Sequence, residues 1–300
     1  MRRHGKVIVA DAQKLAHRFA VVNGVRLHYV EAGEGPLVVL LHGFPQYWYA
    51  WRRQLAALAG AGYRAVALDL RGYNLSDKPE GVASYRMEAL VGDVAGLARH
   101  LGAERATLVG HDWGGSVAWA AARSQPALVE RLVVINAPHP RALARELRSK
   151  NWRQLWRSAY VFLFQIPWLA EAALRAGGYA AIRRVFREEP VRPGAFSDEE
   201  IECYVAALRE PGALEAAVNY YRAGLRYRGT TGGPPEITQP CLLIWGDRDA
   251  HLGPELTQGL EQWVPSIRIE HLPEASHWVL EEAPERVTQL ILDFVGARSA

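Results

Sequence analysis

Apolar positions along this chain alternate between two periods. Near the start, runs over 18–22 and 25–31 flank Asn23 and Gly24. That pair favours a two-residue hairpin turn, whose central positions need positive φ, so the runs predict two antiparallel strands. Short, almost wholly apolar runs follow at Leu37–Leu41, Ala65–Leu68, Thr107–Val109 and Leu132–Ile135, the mark of strands covered on both faces. Between them lie helix-like stretches, one over 49–61 and one that brings Leu90, Val91, Val94, Leu97, Ala98 and Leu101 to a single face. This alternation predicts an α/β architecture, a mostly parallel sheet flanked by helices.

After Ala137, Pro138, His139 and Pro140 the pattern changes. As far as Pro234 and Pro235 the chain is helix-like and rich in Arg, Trp, Tyr and Phe, with no clear buried strand; strands resume at Cys241–Trp245 and Ile267–Leu272. A last helix carries Val287, Leu290, Ile291, Phe294 and Val295 on its inner face. Residues 1–137 and 237–300 are therefore expected to form two parts of one core, with 138–236 an inserted helical cap. Its proline-bearing ends read as hinges, and a cap in that place would shape a cavity and keep water from it.

The 300 residues, 49% hydrophobic, suffice for a large buried core. Net charge is +3 with no dense basic block, which gives no footing for nucleic acid. Of the 35 basic residues only Lys6, Lys14, Lys78 and Lys150 are lysines; the 31 arginines read as coding bias. Cys203 and Cys241 are too few for a disulfide scaffold, and no His and Cys spacing suggests a metal site. The apolar stretch 7–10 is too short for a signal-peptide core, and no run is long enough to span a bilayer. A cytoplasmic protein without membrane attachment, monomeric or homodimeric, is expected.

The chemistry concentrates at Gly110, His111, Asp112, Trp113 and Gly114, which follow a strand and open a helix rich in small residues. A sharp strand-to-helix turn of this kind lifts its middle residue above the sheet. Here that residue is Asp112, a carboxylate of reference pKa about 3.9 that is already a nucleophile at neutral pH and is suited to attack on an sp³ carbon. As a plain helix cap Asp112 would be equally at home. Two later residues favour the nucleophile: Asp249, just past the 241–245 strand, and His277, in the loop after the 267–272 strand. Asp247 competes as the acid, but Asp249 extends farther from the strand end toward the histidine. His111 reads as structural. After Leu37–Leu41, the stretch His42, Gly43, Phe44, Pro45 is placed to supply an oxyanion-hole amide from Phe44, with Trp113 supplying the second.

With these motifs the chain resembles the epoxide hydrolases of the α/β-hydrolase fold over nearly its whole length. The likeness rests on His-Gly-Phe-Pro at 42–45, His-Asp-Trp-Gly-Gly at 111–115, Gly-Asp-Arg-Asp at 246–249 and Ser-His-Trp at 276–278. The segments Tyr160–Pro167 and Asn219–Arg222 look like the family's two tyrosine segments, and by that match Tyr160 and Tyr221 are the ring-opening tyrosines. The resemblance implies hydrolysis of an epoxide to a vicinal diol through an ester on Asp112, without metal or organic cofactor. The aromatics Trp152, Trp156, Phe162, Phe164 and Trp168 suggest an apolar epoxide as the small-molecule partner. Asn74 stands where relatives usually carry glycine; asparagine tolerates positive φ better than other side chains, so the turn can survive. A haloalkane dehalogenase would share the aspartate, histidine and Trp113, but typically adds a side-chain N–H donor just after the His-Gly pair, where Phe44 has none. Fluoroacetate dehalogenases share His-Gly-Phe-Pro but usually carry arginine at the place of Trp113. A non-catalytic binding protein of the same fold would keep the pocket and lose a catalytic group.

Overall fold

A computed structural model describes residues 15–149, 157, 160–227, 232 and 236–296 of the chain. Eight strands form one sheet in the order β1-β2-β4-β3-β5-β6-β7-β8. The hairpin β1 (Ala16–Val22) and β2 (Val25–Ala32) is antiparallel, as its turn residues predict, and Asn23 does adopt positive φ. Strand β2 pairs antiparallel with β4 (Arg64–Leu68), and all later pairings are parallel. The central strands β3 (Leu37–Leu41), β5 (Ala106–His111) and β7 (Cys241–Gly246) are buried along their full length, which is why they read as unbroken apolar runs. The two edge strands, β1 and β8 (Ile267–Leu272), mix partly buried and exposed positions.

The predicted 49–61 helix divides into a 3-10 turn, Trp48–Trp51, and α1, Arg52–Gly60. Helices α2 (Met87–His100) and α3 (Trp113–Ser124) follow β4 and β5 and bury the apolar stripes expected of them. Between β6 (Val129–Ile135) and β7 the described residues form helices and no strand: α4 (Pro140–Arg148), α5 (Tyr160–Leu163), α6 (Leu169–Glu188), α7 (Asp198–Arg209) and α8 (Ala213–Arg226). Helix α6 is interrupted by non-helical backbone at Ala176–Tyr179. The chain ends in α9 (Val279–Glu282) and α10 (Pro284–Gly296).

The helices between β6 and β7 are tied to those beside the sheet by a buried ion cluster. Arg52 of α1 donates to Glu281 of α9 at 2.6 and 2.8 Å and to Glu200 of α7 at 2.5 Å. Glu200 also closes a capping box with Ser197 at the start of α7, so one carboxylate both ends a helix and docks it. No described helix is long and apolar enough to cross a membrane.

Candidate active site

The loops after β3, β5, β6, β7 and β8 converge at the carboxyl ends of the parallel strands, where α/β sheets collect their functional groups. Asp112 lies between β5 and α3 with φ 52° and ψ −119°, a conformation that costs an L-residue roughly 1–3 kcal/mol and marks a strained functional turn. The turn is possible because Gly114 has no side chain: a Cβ there would meet the Leu41 carbonyl oxygen at 2.1 Å. The strain lifts the Asp112 side chain, 18% exposed, into the site.

Two backbone donors grip this carboxylate. Phe44 N–H donates to Asp112 Oδ1 at 2.8 Å, and the Trp113 N–H also donates to the carboxylate. The predicted amides of Phe44 and Trp113 thus meet at one place. The Phe44 loop is itself fixed by His42, whose buried ring donates from Nδ1 to Gly43 O at 3.0 Å and accepts Leu70 N–H on Nε2 at 3.1 Å. Those two bonds define its tautomer, and burial pushes its pKa down, keeping it neutral.

His277 faces Asp112 with Nε2 3.8 Å from Oδ2, and on its other side Nδ1 lies 2.7 Å from Asp249 Oδ2. Asp249, not Asp247, is therefore the acid that meets His277; Asp247 pairs instead with His271 Nδ1 at 2.5 Å. Asp249 is almost wholly buried and accepts four hydrogen bonds. Oδ1 takes the N–H groups of His251 and Leu252 at 2.7 and 3.0 Å; Oδ2 takes Asn136 Nδ2 at 2.8 Å and the imidazole. Burial alone would raise its pKa, but the His277 charge and these donors outweigh it and hold the carboxyl at about 2. Burial would likewise depress His277, yet Asp249, followed by Asp112, holds it up at about 9. Burial pushes Asp112 upward, opposed by His277 and the two amides. His111 donates from Nε2 to His277 O at 2.9 Å; burial pushes its pKa down to about 3, so it serves as a neutral strut.

Tyr221, on α8, is buried, with its ring 5.1 Å from Trp113, 5.7 Å from Phe44 and 4.9 Å from Phe164. The neighbouring Tyr220 also packs against Trp113, at 5.6 Å, and donates its hydroxyl to Arg71 O. Tyr160 starts α5, but its side chain lies outside the described residues. The two tyrosine segments are nonetheless bound together: buried Arg222 donates to Phe164 O at 2.9 Å, Ile166 O at 3.1 Å and Glu171 at 2.6 Å, while Gln165 reaches Tyr221 O at 3.3 Å. Of the aromatics expected around the cavity, Phe164 packs against Phe44 and Tyr221, whereas Phe162 and Trp168 are largely exposed and so form outer surface. Trp152 and Trp156 fall outside the described residues.

Sequence reasoning missed Asn136. It directly follows β6, has positive φ, and binds both Gly246 N–H and Asp249. Among the described residues no cluster of His, Cys, Asp and Glu could hold a metal ion.

Comparison with known proteins identifies the fold and the family. Residues 36–284 match the family model of the alpha/beta hydrolase fold, so the molecule is an α/β-hydrolase. The chain is 42% identical to the AB hydrolase superfamily protein YfhM of Bacillus subtilis, over 93% of this chain and 97% of that protein. It is 39% identical to epoxide hydrolase 3 of Xenopus tropicalis (91% of this chain, 75% of that protein) and 35% to human epoxide hydrolase 4 (98% and 83%). Among solved structures, an epoxide hydrolase from Bacillus megaterium superposes with a TM-score of 0.86 at 34% identity, covering 93% of this chain and all of that one. Epoxide hydrolase A from Mycobacterium thermoresistibile superposes at 0.82 and 31%, covering 95% and 99%. Within the α/β-hydrolases, the chain belongs to the epoxide hydrolase family.

Proposed function

We propose that this enzyme converts an apolar epoxide and water into a vicinal diol through a covalent ester on Asp112, beneath a cap formed by residues 138–236. One observation carries the reading. A carboxylate sits on a strained turn with one oxygen held by the Phe44 amide at 2.8 Å and the other 3.8 Å from an imidazole that Asp249 orients.

In the first step Asp112 Oδ2 attacks an epoxide carbon, the carbon–oxygen bond breaks, and the departing oxygen takes a proton from Tyr221 or Tyr160. A phenol of reference pKa about 10 can protonate an alkoxide, which is far more basic. Forming the ester removes the Asp112 charge, one of the charges that hold the proton on His277. The imidazolium then gives up that proton, by way of solvent, to the phenolate. In the second step neutral His277 takes a proton from water as the water oxygen attacks the ester carbonyl carbon. The Phe44 and Trp113 amides receive the oxyanion. Collapse breaks the bond to the diol oxygen, which takes the proton from His277, and the proton left on the Asp112 carboxyl returns to the imidazole.

Single turnover in heavy-oxygen water tests this directly. The first diol should leave unlabelled, carrying an Asp112 oxygen; a fully labelled first diol rejects the covalent route. A haloalkane dehalogenase would use the same Asp112, so Tyr160→Phe and Tyr221→Phe are to be assayed on epoxides and haloalkanes. Epoxide opening should fall by about 10- to 100-fold for each, and halide release that survives loss of both phenols favours the dehalogenase. Ligand binding without turnover on either panel favours a non-catalytic protein.

A further inference from the structure

One carboxylate from the helical insertion reaches both loops that carry the acid and the imidazole. Glu189 caps the C-terminal end of α6, where a negative charge opposes the helix dipole, so helix energetics alone do not account for it. Its partners do. Both oxygens lie 3.1 Å from His251 Nε2, and Oε2 accepts Trp278 Nε1–H at 3.2 Å. His251 follows Asp249 by two residues and gives it a main-chain N–H at 2.7 Å, while Trp278 directly follows His277 and its ring lies 5.3 Å from the imidazole. The His251 ring stands edge-on to His277 at 5.9 Å.

We propose that Glu189 is a positioning residue for the base: it seats the 249–251 and 277–278 loops against the insertion and brings the insertion's negative charge to His277. The inference rests on His277 being the base of the reaction proposed above. Among the described residues, the titratable groups found against His277 are Asp249, Asp112, His111, His251 and Glu189, and of these Glu189 is the one from the insertion. Its charge acts in the same direction as those of Asp249 and Asp112, favouring the imidazolium. The Glu189 charge therefore strengthens the base that is to activate water.

The test is Glu189→Gln in the full chain, which keeps the side chain's size and removes its charge. Histidine NMR, with His277 assigned by difference from His277→Gln, should show the His277 titration midpoint falling by about half a pH unit or more, the effect of one partly screened charge nearby. The acid limb of kcat for epoxide hydrolysis should move down with it, which a merely structural role would not produce. Glu189→Asp retains the charge one methylene farther away and should titrate between parent and Gln variant. A folded Gln variant whose His277 midpoint matches the parent's overturns the proposal, as does an Asp variant indistinguishable from the Gln one. If the Gln variant does not fold, the Asp variant is read against the parent, and an unshifted midpoint overturns it. Because the NMR midpoint needs no turnover, a parent protein that titrates as expected but opens no epoxide refutes the catalytic reading instead.

Discussion

On the proposed mechanism, replacing Asp249 with Asn should separate the two chemical steps, because the attack of Asp112 needs no base and the hydrolysis of its ester does. The buried carboxylate accepts two donors on each oxygen, and an amide offers only one oxygen. If the amide oxygen faces His277 and Asn136, the amide nitrogen confronts the main-chain N–H groups of His251 and Leu252. If it faces those groups, the nitrogen confronts Asn136 Nδ2 and forces His277 Nδ1 to accept, leaving the proton on Nε2 where the water should be deprotonated. Either orientation leaves donors against donors around a side chain that is 2% exposed, at a cost of about 2–4 kcal/mol of stability. The electrostatic loss is comparable: holding His277 at about 9 instead of the usual 6.5 corresponds to roughly 3 kcal/mol, and Asp249 is the leading source of that hold. Ester hydrolysis should slow by about 10³- to 10⁴-fold, as for the acid of other nucleophile–His–acid enzymes, with ester formation within about tenfold of the parent. Rapid quench and peptide mass analysis should find close to one adduct per chain on the peptide bearing Asp112. Steady-state diol formation within tenfold of the parent, with no adduct, refutes the reasoning.

Three other outcomes are expected. Gly43→Ala places a Cβ 2.3 Å from Asp112 Cβ and Oδ1; the displaced nucleophile should lose about 100-fold in kcat/KM, with circular dichroism unchanged. Arg52→Met removes the buried one of two arginines, Arg52 and Arg53, that pair with Glu200 and Glu281; with Arg53 left to hold the carboxylates, the loss in urea unfolding should lie at the low end for a broken buried pair, about 3 kcal/mol. Stability should also fall at both pH extremes. Asp249, held at about 2 against an ordinary 3.8, stabilises above 3.8, and that contribution disappears as pH falls toward 2. His277, held at about 9 against 6.5, stabilises below 6.5, and its contribution disappears as pH rises through 9. The two are one ion pair seen from either end and do not add, so urea midpoints should plateau between about pH 4 and 6.5 and decline on both sides.

Local chemistry made much of this legible in advance. The Asn23-Gly24 hairpin, the elbow around Asp112 and the tolerance of Asn74 for positive φ, observed at 43°, all depend on a few adjacent residues. Asp249 could be separated from Asp247 because their distances from the strand end differ, and their partners in space differ accordingly. What stayed hidden is long-range. Asn136 and Asp249 meet across 113 residues, and Arg52 and Glu281 across 229, with nothing in either neighbourhood to announce the partner. The stretch 160–169 shows the opposite failure. It is apolar nearly throughout and has no period to tell an inner face from an outer one, so Phe164 and Trp168 read alike although one is buried and the other is 83% exposed.

The hydrogen bond from Phe44 to Asp112 Oδ1 makes the two oxygens of the proposed nucleophile unequal before any substrate arrives. If the tethered atom becomes the ester carbonyl and keeps that bond through both steps, it is a permanent part of the protein, while its twin is handed to the product and replaced from solvent in every cycle. After many cycles in heavy-oxygen water the Asp112 peptide would then gain one heavy atom and never two. The side chain would behave as an asymmetric carrier, with one fixed arm and one that is renewed.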